Sequence, residues 1–315
     1  MSKEIYEIDS VCKYLNVLDE IKSKKHFTDK YLYEIMYRGQ QSDGFELKPL
    51  IAREDKYFKH EKEMIQKVIS YQSDEFSGLN YFDTLVKMQH YGLPTRLMDF
   101  TKNPLIALFF ASEYSEKTQD ENGEILFYKC DRHPFFTSEN ISIDIVASFS
   151  QINVNLIEIR FSDLLHDYCH NNNILAQKCN TLKTYFTGDL KYAEGNFIDE
   201  VKACLKIPHY VLTSLTNERI KRQSGAFLLF PNEISNFNED SVKPLSNDFY
   251  ILNNIKDFKS RISEQMGCKI VIQKNSKESI IKKLDEIGIN RMFLFPDLYE
   301  TCAYVKAQMQ DFIGI

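Results

Sequence analysis

Between Pro104 and Ser112 the chain has almost no polar face: Leu105, Ile106, Leu108, Phe109 and Phe110 surround the axis of any helix drawn there. Such a helix has to be buried. Pro104 suits its first turn, and Asn103 can cap its open amides. Elsewhere the apolar positions recur with helical spacing. Val11, Tyr14, Leu15, Leu18 and Ile21 predict a helix over 10–24. Met64, Ile65, Val68 and Ile69 predict another over 60–72, with Glu61 and Glu63 near its start, where negative charge suits the helix dipole. A third runs over 79–90 and leads into a turn at Gly92 and Pro94. Strands are expected at 31–37, with Arg38-Gly39 at its end, at 124–130, loosely over 141–159, at 206–212 and at 226–230. Phe45 to Arg53 reads as extended, because Pro49 blocks a helix there. The tail reads as a strand over 268–273, then a helix capped by Ser276 and stopped by Gly288. A second strand over 291–295 follows, and a last helix opens at Asp297 and Glu300.

These elements predict an α+β fold. A mixed central sheet carries the buried helix, and the tail adds a strand-helix-strand-helix element with one parallel crossover. The chain divides into a helical lead-in over 1–30, a main domain over 31–235 and a C-terminal α/β element over 236–315. Within the main domain, 161–192 stands out as an insertion, a candidate lid or partner surface.

Composition narrows the classes of function. With 43% hydrophobic residues in 315, the chain can bury a sizeable core. A net charge of −6 argues against general nucleic-acid binding, which needs a basic surplus. No apolar run approaches a membrane span. Seven cysteines, none in a CxxC pair, with no apolar leader, point to a reducing compartment, so a cytoplasmic location is expected. His166 and His170 sit four apart near Cys169 and Cys179, but the spacing fits no standard zinc set, and no metal is expected.

The densest chemistry lies at 89–112. His90, Arg96 and Asp99 precede the buried helix, and such groups are costly to bury unless paired. Upstream, Arg38 followed by Gly39 can bring a guanidinium and a bare backbone to one small anion. The plainer reading pairs Arg38 with a core carboxylate, Asp99 or Glu61. Arg219, Lys221, Arg222 and Gln223 precede Gly225 and a strand. They form either a basic surface turn or, through Gln223 and Gly225, the rim of the same cleft.

Three segments carry a resemblance: Tyr37-Arg38-Gly39-Gln40, the span QHYGLPTRLMDF at 89–100, and the run from Asn217 to Phe227. Together they resemble the FRG domain family. The first segment is also similar to the opening motif of one branch of ADP-ribosyltransferases, in which the Arg contacts the phosphates of NAD and a later Glu stabilises a ribosyl cation. Ala107 to Ser112 is loosely like the Tyr-Phe-Ala segment of those enzymes.

The resemblance implies NAD as substrate, Arg38 as phosphate anchor, and Tyr37, Gly39, Gln40, His90, Tyr91, Gly92, Thr95 and Arg96 around the ligand. It also implies a setting in bacterial (phage) defence or toxin activity, with a protein partner or target. The chain departs from the transferase pattern at Gly225-Ala226, where a Glu is expected. Asp99, Gln223 or Glu218 then serves as the catalytic group, or the cation is not stabilised by this route. The alternative is a non-catalytic module that recognises a nucleotide or a protein. A nuclease is disfavoured, since no compact acidic metal motif stands out.

Overall fold

The computed structural model describes residues 4–24, 33–131, 136–151, 204–205, 207–213, 217–231, 234–238, 241–244 and 268–313. The insertion at 161–192, with its His and Cys residues, and the strand expected at 155–159 lie outside them.

Two elements open the chain, β1 (Glu4–Ile8) and α1 (Val11–Lys24), followed by β2 (Tyr33–Gln40). Helices α2 (Asp55–Lys59), α3 (Glu61–Tyr71), α4 (Ser73–Phe76) and α5 (Tyr81–His90) lead to β3 (Leu97–Thr101) and α6 (Pro104–Ser112). Then come β4 (Gly123–Asp131), β5 (Phe136–Thr137), α7 (Ile141–Ser148), β6 (His209–Leu212), α8 (Glu218–Arg222) and β7 (Gly225–Leu229). A hairpin of β8 (Ile234–Asn238) and β9 (Ser241–Pro244) precedes β10 (Cys268–Ile272), α9 (Lys277–Glu286), α10 (Arg291–Leu294) and α11 (Leu298–Ile313).

The fold is α+β. One mixed sheet of eight strands runs in the order β1-β10-β4-β2-β3-β7-β6-β5. Strand β10 pairs in parallel with β1, so two segments far apart along the chain meet at one edge of the sheet. One apolar layer gathers α1, α6 and α9 on Tyr37, Ile125 and Phe127. A second gathers α5 and α7 on Phe227 and Leu229. A third packs Met36, Met98, Phe100, Leu228 and Phe230 with Leu47 and Ile51.

Helix α6 is placed as its pattern requires. Asn103 accepts the Leu105 amide at 2.9 Å, Pro104 opens the first turn, and Ile106 to Phe109 are buried. It lies directly on the sheet because two glycines let it. A methyl on Gly39 would overlap the Ala107 carbonyl and come within 2.7 Å of Ala111 N, and one on Gly123 would meet the Ala111 carbonyl. The role of Gly39 is therefore backbone-to-backbone packing against α6.

Five expectations change. The piece expected to be extended contains a 3-10 turn, Leu50–Ala52, which starts directly after Pro49, because a proline is compatible with the position before a helical turn. Strand β2 does not end before Arg38 but continues through Gln40, paired with β4 along its whole length. The residues from Ile141 form helix α7, with Asn140 accepting the Ile143 amide at 3.1 Å; the Ile-Ser-Ile-Asp-Ile alternation yields to burial all round. Arg291–Leu294 is helix α10, not a strand, so the expected crossover in the tail does not form. Short apolar runs do not separate the two periods. Finally, Ser276 makes no capping hydrogen bond, whereas Gly288 ends α9 at φ +84° and Asp297 caps α11 by accepting Glu300 N at 3.1 Å.

Candidate functional site

Strands β2 and β3 share a single residue pair, Tyr37 with Thr101. Beyond it the two strands part inside an otherwise continuous sheet. The gap opens into a hollow of about 260 Å³ whose walls include Tyr37 to Gln41, Asp99 to Thr101, Arg53, Arg219 and Gln223. A second hollow of about 180 Å³ adjoins it, with His90 and Gln89 in its wall. The two share Asp99, Phe100, Arg219 and Gln223.

Arg38 spans the gap. Its guanidinium NH1 donates to the main-chain carbonyl of Asp99 at 2.6 Å. The side chain thus takes the place of a missing ladder bond. Its Nε is buried and has no hydrogen-bond partner among the described residues. An unmet buried donor costs about 1–3 kcal/mol, and more when the group is charged. Burial pushes the Arg38 pKa down, and the nearby Asp99 carboxylate acts in the opposite direction.

Arg53 and Arg219 flank the same carboxylate. In both, burial lowers the pKa and Asp99 opposes that shift. Three guanidiniums therefore face one acidic side chain in the hollow. Asp297 and Glu300 also oppose the lowering at Arg219.

The Asp99 side chain is held in place. Gln89 Nε2 donates to its Oδ1 at 2.9 Å, and the hydroxyl of Thr95 donates in turn to Gln89 Oε1. This fixes a carboxylate at the boundary of both hollows. His90 lies close by and packs edge-on against Tyr91. Burial first, then the charge of Arg219, hold its pKa below the usual histidine value, which favours a neutral ring at pH 7.

The other residues singled out from the sequence fall elsewhere. Arg96 is fully buried and holds Glu61 through two hydrogen bonds, Nε to Oε1 at 2.9 Å and NH2 to Oε2. Glu61 is therefore a core ion-pair partner, beyond any service to the α3 dipole. It pairs with Arg96 and not with Arg38. Thr95 is buried and acts through Gln89. Gly92 turns at φ +89°, and Tyr91 is 76% exposed; neither is in the wall of either hollow. Glu218 points to solvent, where it meets Lys221 and Arg222, and it too lies outside both hollows.

Gln40 is in the wall, with Nε2 3.5 Å from Glu124 Oε2. Tyr37 is buried against Phe127, and its hydroxyl is pushed up to about 12 by burial. Gln223 donates from Nε2 to Leu294 O at 3.1 Å, while its main-chain carbonyl accepts the Thr101 hydroxyl at 2.6 Å.

Arg53, Gln41 and Phe45 in the wall carry no local sequence signal, and Phe110 is legible only as part of the apolar run of α6. Arg219 had one, the basic run before β7, but nothing in that run distinguishes it from Lys221 or Arg222. Among the described residues no cluster of His, Cys, Asp and Glu could hold a metal, and no helix is long and apolar enough to cross a membrane.

Comparison with known proteins adds one positive finding. No curated protein and no solved structure matches the chain. Residues 33–120, which contain β2 to α6 and so Arg38, Arg53, His90 and Asp99, match the family model of the FRG domain.

Proposed function

We propose, from the premise that this chain is an FRG-domain protein, that the split between β2 and β3 binds the phosphates of a nucleotide of the NAD class. The buried Nε of Arg38 carries the reading. It belongs to a guanidinium that lines the hollow together with two further guanidiniums and one carboxylate. A ligand with several anionic oxygens would supply what that donor lacks, and guanidiniums match phosphate oxygens in a two-pronged geometry. A diphosphate offers enough oxygens for Arg38, Arg53 and Arg219 together.

The same geometry favours an enzyme over a passive binder at one point. Asp99 is a fixed carboxylate beside a neutral His90 at the junction of the hollows. Cleavage of the nicotinamide–ribose bond builds positive charge on the ribose, and a fixed carboxylate would offset it. In this reading Asp99 takes the part for which Glu218 and Gln223 were the other candidates. Glu218 faces solvent, and Gln223 has no charge to offer. Activity against phage or as a toxin belongs to this proposal as its setting, since consuming NAD or modifying a target arrests a cell.

The test is incubation with NAD, following nicotinamide release alongside ADP-ribose binding by calorimetry. The reading predicts binding that Arg38→Gln abolishes, and release that Asp99→Asn abolishes with binding kept. Binding without release, unchanged in Asp99→Asn, would leave a nucleotide-recognition module. No binding of either compound would overturn the proposal.

A further inference from the structure

Two walls of the hollow, Arg219 in α8 and Gln223 at its C-terminal cap, lie outside the residues that match the family model. What holds them is the segment 290–295. The guanidinium of Arg219 lies over the Phe295 ring, 4.5 Å from its centroid. The Gln223 side chain is tied to the Leu294 carbonyl at 3.1 Å. Phe295 also packs edge-on against Phe110, a third wall residue, with ring centroids 6.1 Å apart.

The segment is itself well anchored. Asn290 caps α10 by accepting Phe293 N at 2.8 Å and donates from Nδ2 to Asp285 at 2.7 Å. Leu294 is fully buried. Arg291 donates to Glu113 at the end of α6 and to both carboxylate oxygens of Glu300, at 2.6 and 3.2 Å. Its guanidinium also lies over Phe295, 4.8 Å from the centroid.

Resting on the phosphate-binding reading above, we infer that Phe295 is a positioning residue for that site: its ring aims Arg219 into the hollow, and the C-terminal element thereby sets the affinity for a diphosphate. Phe295 touches no ligand. A long side chain such as Arg loses much conformational freedom when it is fixed on a ligand, and a ring that holds it beforehand removes part of that cost. The ring face, more than its apolar volume, supplies the effect.

The experiment is a double-mutant cycle on the full chain, read by calorimetric binding of ADP-ribose. Phe295→Leu keeps the apolar bulk and removes the ring face; it should weaken binding by about three- to tenfold. Phe295→Tyr should restore it. Arg219→Gln should weaken binding as well, and adding Phe295→Leu to Arg219→Gln should cost nothing more, because the ring then has nothing to aim. Additive losses, or a Phe295→Leu protein that binds like wild type, would overturn the inference while leaving the phosphate site in place. Wild-type protein that does not bind ADP-ribose would overturn both. Should Phe295→Leu not fold, Phe295→Met enters the same cycle with the same expected outcomes.

Discussion

Replacing Glu61 by Gln is the sharpest test of which arginine serves the fold and which the ligand. Arg96 is 1% exposed and its partner carboxylate 7% exposed, so neither charge can turn to water. The Gln keeps one acceptor for Nε but removes the charge and the second acceptor oxygen. Breaking a buried pair from one side costs about 3–5 kcal/mol, and the retained amide oxygen places this variant near the lower end. The damage reaches the central strand, because Arg96 leads into β3 and its carbonyl accepts Phe230 N at 3.2 Å. With unfolding entropy near 2.1 cal/mol/K per residue, a loss of about 3 kcal/mol lowers the melting temperature by about 5 °C. Urea unfolding followed by far-ultraviolet circular dichroism should show a lower midpoint at unchanged slope. ADP-ribose affinity of the folded variant should match wild type. A stability loss below about 0.5 kcal/mol, together with weaker ligand binding, would refute the reasoning and return Arg96 to the ligand site.

Gly39→Ala should destabilise by about 3 kcal/mol or give insoluble protein, since its methyl would meet the backbone of α6; Gly44→Ala, whose methyl would meet only the Ser42 hydroxyl at an ordinary 3.4 Å, should melt like wild type. His209 is buried with its pKa lowered to about 4, against 6.5 for an open histidine. Its ring therefore stays neutral in the fold while the unfolded chain takes up a proton. Full stability is present above pH 6.5, and about 3 kcal/mol is lost as pH falls toward 4; His209→Asn should flatten that part of a melting-temperature profile. Arg53→Gln should weaken ADP-ribose binding by about tenfold and make it less sensitive to salt, as expected for removing one charged contact. Titrations at two salt concentrations check this, and an unchanged salt response would count against Arg53 as a wall of the site.

The parts of the molecule that could be read from the sequence are those decided locally. The Asn103 cap, Pro104 and the apolar run after them specify a buried helix within ten residues, and the structure has it. The gap beside Arg38 could not be read. It exists because β2 pairs with β4 through Gln40 while its pairing with β3 stops at Tyr37. Each strand has an ordinary pattern, and only their register leaves the hollow. Gly39 was legible as a position requiring close approach, but the approaching backbone belongs to α6. Strand β1 escaped notice because its first four residues are not buried and its partner β10 lies over 250 residues away. Arg53 reaches the site from a segment with no signature; Arg219 comes from the basic run before β7, where tertiary packing alone selects it over Lys221 and Arg222.

The central claim is that a phosphorylated ligand seats between β2 and β3 on the buried Nε of Arg38. A crystal of the full chain soaked with ADP-ribose measures this directly. The account predicts diphosphate oxygens within hydrogen-bonding distance of Arg38 Nε, with Arg53 and Arg219 turned toward them. A diphosphate bound elsewhere on the molecule, with no ligand atom near that nitrogen, would contradict it.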